Sequence, residues 1–509
     1  MIEMTSGTIA EVTGGHLVDG ATAETVVTGP VEFDSRRITP GSVFMALPGE
    51  RVDGHDFVPG ALRDGAALAM VGRPVGQPSL LCEAVEESAD ADAGAAQRNA
   101  AYLENDPEGV GERVLAAVGR LARYNTDTLV AEEGLTVVGV TGSAGKTSTK
   151  DLLGAVLTRA GETVAPPGSF NNEIGHPYTA LKAGRSTRFL VAEMSARGQG
   201  HIAHLARIAP PRIGVVLNVG TAHLGEFGSR EAIARAKGEL VESLPSADDG
   251  GLAVLNADDD HVSAMRTRTD ARIIRFSTSE EGRSGAGHVD YYASDITLDE
   301  VARASFTLHH PYGEPVQVTL GVFGAHQVSN ALAAAVVGME CGLDAATVAG
   351  ALNSHVAASA NRMDVRTRAD GVTVINDTYN ANPDSMRAGI DALAYTAAGR
   401  SDVQSWAVLG QMAELGDDAR DEHALLGDVL AQRRIGHAVI VGNGVNQSAL
   451  AEAAEAHGVS VRQVENADAA VNFLDLNVEP NDVVLVKASY ADGLWSVAEG
   501  LFVGEEESR

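Results

Sequence analysis

The sequence predicts an α/β protein with three domains: a small α/β domain, a central P-loop domain on a mostly parallel sheet, and a Rossmann-like α/β domain. Three observations predict this. Short apolar runs alternate with helical stretches through two long zones, the pattern of parallel strands covered by helices. A glycine-rich segment joins one such run to a helix. The chain has 509 residues, and at roughly 100–200 residues per domain that length implies about three cores.

The first zone, residues 1–133, holds apolar runs broken by Gly and Pro, such as Val43–Leu47 and Ala67–Val71. These read as strands of a small α/β unit. Residues 83–111 are rich in Ala, Glu, Asp and Gly and poor in aromatics, which reads as a solvated acidic insertion. The second zone, residues 134–358, has candidate strands at Thr136–Val140, Phe189–Ala192, Ile213–Leu217 and Leu252–Leu255. Helical periodicity covers Lys146–Ala160 and Arg230–Ser243 between them. Both faces of such a sheet are covered, so its strands are apolar throughout. The third zone, residues 359–509, repeats the alternation with Val372–Ile375, Trp406–Leu409, Ala438–Val441 and Asp482–Val486. The polar stretch Asn353–Asn361 reads as the hinge between the last two zones.

Composition excludes several classes. Lys+Arg is 38 against 69 Asp+Glu, a formal charge of −31. Such a chain repels nucleic acid and anionic lipid headgroups. Cys82 and Cys341 stand apart, with no C-x-x-C pair, so neither a disulfide framework nor a zinc ribbon is expected. No secretory leader opens the chain and no apolar run has the length of a membrane span, so a cytoplasmic protein is expected.

The strongest chemical signal is Gly139-Val-Thr-Gly-Ser-Ala-Gly-Lys-Thr-Ser-Thr149. It follows an apolar strand and opens a helix, as a phosphate-binding loop must. Glycines let backbone N–H groups wrap an anion, and the helix N-terminus adds a favourable dipole. Strict spacing would place glycine where Val140 stands, so this is a variant loop anchored on Gly142, Gly145, Lys146 and Thr147, with Ser143 and Ser148 beside them. Lys146 can reach the terminal phosphates, and Thr147 can ligate Mg2+.

Ligands of parallel sheets bind at the carboxyl ends of strands. Glu193 ends one such strand and suits Mg2+. His223 follows another. Alone it would read as a capping or surface residue, but beside a triphosphate site it reads as a metal or phosphate ligand. Lys237, taken by itself, reads as a solvated lysine on a helix.

Several segments together resemble the Mur ligases of peptidoglycan synthesis. They are the phosphate loop, Ala192-Glu-Met-Ser-Ala-Arg197, Leu217-Asn-Val-Gly-Thr-Ala-His-Leu224, Ala234-Arg-Ala-Lys-Gly-Glu239 and Gly324-Ala-His-Gln-Val-Ser-Asn330. Ile375-Asn-Asp-Thr-Tyr-Asn-Ala-Asn-Pro-Asp-Ser-Met386, Phe170-Asn-Asn-Glu-Ile-Gly-His-Pro177 and Met412-Ala-Glu-Leu-Gly416 resemble the branch that adds D-alanyl-D-alanine. Asp34-Ser-Arg-Arg37, Gly41–Gly49 and Asp53–Phe57 resemble the family's UDP-sugar domain. The sister branch that adds the third stem residue usually carries Asp-Asn-Pro-Arg, which this chain lacks.

The resemblance implies an ATP- and Mg2+-dependent ligase that joins a carboxylic acid to an amine through an acyl phosphate. The acid would be UDP-N-acetylmuramoyl-tripeptide, the amine D-alanyl-D-alanine, and the enzyme a monomer. Lys146 would act on the phosphates. Thr147 and Glu193 would hold one Mg2+, and His223 with a carbamylated Lys237 a second. Asn330 would meet adenine, Arg362 phosphate and Asp377 ribose. Ser35, Arg36 and His55 would lie near the uridine nucleotide. Asn171, Asn172 and Arg197 would hold the sugar–peptide, and Tyr379, Asn380 and Asn382 the dipeptide. The sequence departs from the family in Lys487–Trp495, where Tyr490 replaces a usual arginine and Trp495 a usual glutamate. Arginine grips an anion with a fork, whereas tyrosine offers one hydroxyl. Three other readings follow: a sister ligase using a different amine, a non-catalytic nucleotide-binding relative, or a P-loop kinase.

Overall fold

A computed structural model describes residues 1–49, 52–84, 106, 108–220, 227–284, 288–356, 359–413 and 415–502. Its three main sheets follow one another along the chain. In the first, His16–Val18, Ser79–Leu81, Leu68–Val71, Val43–Met45 and Val31–Glu32 lie side by side. Only the His16–Val18 edge is antiparallel. Most of the acidic 83–111 stretch lies outside the described residues.

Among the described residues the central sheet has nine strands. Thr136–Thr141 is interior, flanked in parallel by Phe189–Glu193 and Ile213–Val216. Leu252–Asn256 and Arg272–Ser277 extend it in parallel. Beyond Tyr291–Leu298, the strands Arg303–His309 and Val316–Phe323 continue it antiparallel. This extension is absent from the sequence reading. Arg303–His309 alternates buried and less buried residues along its length, so it presents no continuous apolar run.

The third sheet is parallel except for its edge strand Asp364–Thr367, and Thr373–Asp377, Val483–Lys487 and Ser405–Leu409 lie at its middle. Among the described residues, no helix is long and apolar enough to cross a membrane, and Cys82 and Cys341 are free thiols.

The 24-residue helix Val110–Glu133 was not foreseen. Its Val114, Ala117, Val118 and Leu121 are buried in one cluster with Ile9, Met70 and Leu80 on one side and Leu190 and Leu205 on the other. The first sheet and the central sheet thus share a core through this helix. The candidate hinge begins as the end of the helix Ala345–Ser354. Residues 357–358 are outside the described residues, and beyond them Ser359 Oγ accepts a hydrogen bond from the Gly168 N–H at 3.0 Å.

Candidate active site

The interior strand Thr136–Thr141 delivers the phosphate loop to the carboxyl edge of the central sheet, and its neighbours hold the loop in shape. Asn218, just past Ile213–Val216, brackets Ala144: its Oδ1 accepts from the Ala144 N–H at 2.9 Å and its Nδ2 donates to the Ala144 carbonyl at 3.2 Å. Ser143 Oγ accepts from the Gly220 N–H at 2.9 Å. Gly145, at φ +84°, caps the helix Lys146–Leu157. A Cβ there would lie 2.6 Å from Asn330 Oδ1, so both backbone conformation and space require glycine. Lys146 Nζ donates to the Gly142 carbonyl at 2.7 Å.

Thr147 Oγ1 donates to Glu193 Oε2 at 2.9 Å. The other oxygen, Oε1, accepts from Ser169 Oγ and Asn171 Nδ2, both at 2.9 Å. Glu193 is buried and held from both sides. Hydroxyl and carboxylate oxygens this close together suit a hard divalent cation.

A cavity of about 740 Å3 opens over this loop. Ser143, Gly145, Lys146, Thr147, Ser148 and Glu193 line its floor. Asn171, Asn172 and Arg197 line the wall beside Phe189–Glu193, and Asn330 faces it from the helix Gln327–Glu340. The third sheet closes the opposite side with Arg362, Asp377, Tyr379, Asn380, Asn382 and Tyr490. Residues almost 350 positions apart in the chain thus converge on one space.

Asp377, at the end of Thr373–Asp377, accepts from Lys487 Nζ at 2.5 Å, and Lys487 also donates to the Asn380 carbonyl at 2.9 Å. Asn382 caps the helix Pro383–Ala398 in a reciprocal capping box with Ser385. The Arg362 guanidinium lies 3.9 Å from the Tyr379 ring centroid. Tyr490 packs on the same ring at 5.8 Å. Arg362 over the Tyr379 ring and Tyr490 tilted at 47° against it therefore form a continuous rim.

Not every predicted residue joins this wall. Lys237 is not among the cavity's lining residues; it is 3% exposed, on the helix Arg230–Glu242. Burial, aided by the Lys146 charge, holds its amine well below the usual lysine range. The solvated lysine expected from periodicity alone is thereby corrected. His223 lies outside the described residues. Ser35 and Arg36 are in the first sheet's domain, where Arg36 makes a two-pronged exposed pair with Asp34 at 2.9 and 2.8 Å.

His55 is a correction. Its side chain is fully buried, Nδ1 bonds Asp53 at 2.7 Å, and Nε2 accepts from the Gly72 N–H at 3.0 Å. Both ring nitrogens are committed to the fold, leaving none for a nucleotide. Trp495 opens the short helix Trp495–Gly500 and is not part of the cavity wall.

The sequence reading assigned no role to Asn218, Ser169, His326 or Lys487, all of which line the cavity. The His326 side chain is exposed along the cavity, and crowding by the surrounding protein holds its imidazole below the usual range. Lys487 could have been found as a lone lysine ending an apolar strand, the position that made Glu193 a candidate.

Comparison with known proteins bears on this geometry. Residues 140–338 match the Mur ligase middle domain, residues 361–490 the Mur ligase glutamate ligase domain, and residues 30–108 the Mur ligase family catalytic domain. The chain belongs to the Mur ligase family. It is 50% identical over 519 aligned positions to the UDP-N-acetylmuramoyl-tripeptide--D-alanyl-D-alanine ligase of Mycobacterium tuberculosis, covering 98% of each chain. The Escherichia coli ligase of the same name is 31% identical, covering 88% of this chain and 90% of that one. Among solved structures, MurF from Acinetobacter baumannii superposes with a TM-score of 0.79 at 29% identity, covering 98% of both chains. MurF from Thermotoga maritima, solved in complex with ADP, gives 0.71 at 28% identity over 95% of this chain and 99% of that one. The predicted family and three-domain α/β architecture agree with these matches.

Proposed function

We propose that this Mur ligase joins D-alanyl-D-alanine to UDP-N-acetylmuramoyl-tripeptide at the expense of ATP, in peptidoglycan precursor synthesis. The observation that carries this reading is the 50% identity, end to end, to ligases of that name. The cavity supplies its physical basis: a phosphate loop faces an asparagine-rich wall from another domain across one space.

A carboxylate is a poor electrophile. Its oxygen attacks the γ-phosphorus of ATP, ADP leaves, and the acid becomes an acyl phosphate. The amine then attacks the acyl carbon, phosphate departs, and the amine loses a proton. In the first step two anions must meet, so Lys146 neutralises the β- and γ-phosphates. Thr147 and Glu193 are the residues to hold one Mg2+, and His223 with a carbamylated Lys237 a second. Bound Mg2+ supplies positive charge and a template for the anionic oxygens. Burial that lowers the Lys237 amine favours its unprotonated form, the form that reacts with CO2, releasing a proton and leaving an oxygen ligand.

Asn330 contacts adenine, while Arg362 and Asp377 contact phosphate and ribose. Asn171, Asn172 and Arg197 hold the sugar–peptide, Ser35 and Arg36 the uridine end, and Tyr379, Asn380 and Asn382 the dipeptide. A nucleotide gripped from two domains couples its binding to closure, which excludes water from the acyl phosphate. The enzyme works as a cytoplasmic monomer.

The test is ATP-dependent phosphate release with UDP-N-acetylmuramoyl-tripeptide, with and without D-alanyl-D-alanine, and mass detection of the pentapeptide product. Release that requires both substrates is the expected result. The Tyr379–Tyr490 ring contact, on the wall assigned to the dipeptide, favours one second reading, an altered amine. Turnover only with a different amine would establish it, and phosphoryl transfer without any amine would sink both.

A further inference from the structure

The first sheet's domain meets the central domain at an aromatic contact, centred on one buried tyrosine, whose parts have no role in the chemistry above. Tyr178, on the short helix Gly175–Ala180, is 1% exposed. Its hydroxyl donates to Glu32, with oxygens at 3.1 and 3.3 Å. Glu32 ends the edge strand Val31–Glu32 of the first sheet and is itself buried. The Tyr178 ring lies between Phe33, edge-on at 5.1 Å, and Phe170, tilted at 5.5 Å. Lys182 Nζ is 4.4 Å from the ring centroid, and Arg37 is 3.9 Å from Glu32.

The position of this contact in the chain gives it meaning. Glu32 and Phe33 directly precede Asp34-Ser-Arg36, the loop assigned to the uridine end of the acid. Phe170 directly precedes Asn171, which hydrogen-bonds Glu193. One buried tyrosine thus touches the segments leading to both ends of the long acid substrate.

We propose that Tyr178 is a positioning residue that sets the uridine-binding loop at a fixed distance from the reaction centre, so that the UDP end and the reacting carboxylate are bound together. This rests on the ligase reading. Burial and the neighbouring Glu32 charge raise the Tyr178 hydroxyl from 10 to about 12, so it remains a hydrogen-bond donor at neutral pH. The hydrogen bond is long, at 3.1 and 3.3 Å, but it is directional and joins a buried hydroxyl to a buried carboxylate, so together with the Phe33 and Phe170 ring contacts it favours one register between the two domains.

The test compares wild type with Tyr178→Phe, Glu32→Ala and the double variant, all in the full chain. Each is assayed on UDP-N-acetylmuramoyl-tripeptide and on the same muramoyl-tripeptide lacking UDP. Tyr178→Phe keeps the ring and removes only the bond. It should raise KM for the UDP-bearing acid about tenfold, leave KM for ATP unchanged, and leave turnover of the UDP-free acid unchanged. Glu32→Ala should do the same, and the double variant should be no worse than either alone. Equal losses on both acids, or no loss on either, would overturn the proposal.

Amide hydrogen exchange supplies a readout independent of activity. Tyr178→Phe should speed exchange in residues 31–37 and 169–174 together, and unchanged exchange in either segment would overturn the proposal. Wild type inactive on the UDP-bearing acid would instead defeat the ligase reading, leaving exchange to decide the positioning role.

Discussion

The phosphate loop and the Arg362–Tyr379–Tyr490 rim face the same cavity but are held by different forces. The loop is fixed by directed hydrogen bonds from its neighbours, each 2.9 Å: Asn218 on Ala144 and Gly220 on Ser143, both partly buried, and Glu193 on Thr147, which is buried. Its shape is set before any ligand arrives, which is what electrostatic stabilisation of a phosphoryl group requires. The rim is held by a cation–π contact and a tilted ring contact, and its outer member Tyr490 is 58% exposed. Contacts of this kind at exposed positions are worth less than at desolvated ones and are not fixed by directed hydrogen bonds. The difference teaches that the chain invests its order where charge develops, and leaves its adaptable contacts on the wall contributed by the third domain.

Substitutions can break this contrast. The largest effect is expected from Lys146→Ala, which removes the one cation of the phosphate loop. Turnover should fall on the order of 10^3-fold or more, measured as phosphate release at saturating substrates, with a melting temperature close to wild type. Gly145→Ala should come next. Its Cβ must displace Asn330 and adopt a left-handed φ, so ATP affinity measured by calorimetry should drop on the order of 10^2-fold. Wild-type affinity in that variant would mean the loop is less rigid than its hydrogen bonds imply.

Lys237 separates function from stability. Its amine is held below the usual lysine range by burial. In the unfolded chain it stays protonated up to about pH 10.4, so below that pH the unfolded state binds the extra proton. Folding therefore loses stability as pH falls from that value toward the lowered folded-state pKa. Lys237→Met in CO2-free buffer should abolish turnover yet unfold at a higher temperature than wild type at pH 7. That advantage should shrink as pH approaches 10. A variant less stable than wild type at pH 7 would contradict the sign.

The smallest effect belongs to the rim. Tyr490→Arg loses the Tyr379 ring contact and gains a fork for anions. KM for D-alanyl-D-alanine should change by less than about tenfold, with KM for ATP unmoved. A larger change would make the rim as constrained as the loop.

Much of this site was legible because its signals are local. A phosphate loop needs glycines and a lysine at fixed spacing between a strand and a helix, and all of these are consecutive in the chain. Glu193 was legible for a related reason: an apolar run ending in an acid marks a strand's carboxyl end. Lys487 ends its strand the same way, and only its pairing with Asp377, 110 residues earlier, shows why it is there. The resemblance placed His55 near the uridine nucleotide, while its burial depends on Gly72 and Asp53 closing around it. The antiparallel extension at residues 291–323 escaped because its half-exposed strands alternate polar and apolar residues.

The sequence by itself determined the α/β alternation, the phosphate loop and the family, because backbone geometry, hydrophobic period and motif spacing are short-range properties. Tertiary structure decided which residues share the cavity, which lysines are buried and that His55 is consumed by the fold. It also joined the first two sheets through the helix Val110–Glu133. Those outcomes depend on desolvation and on contacts between distant segments, and neither exists until the chain has packed.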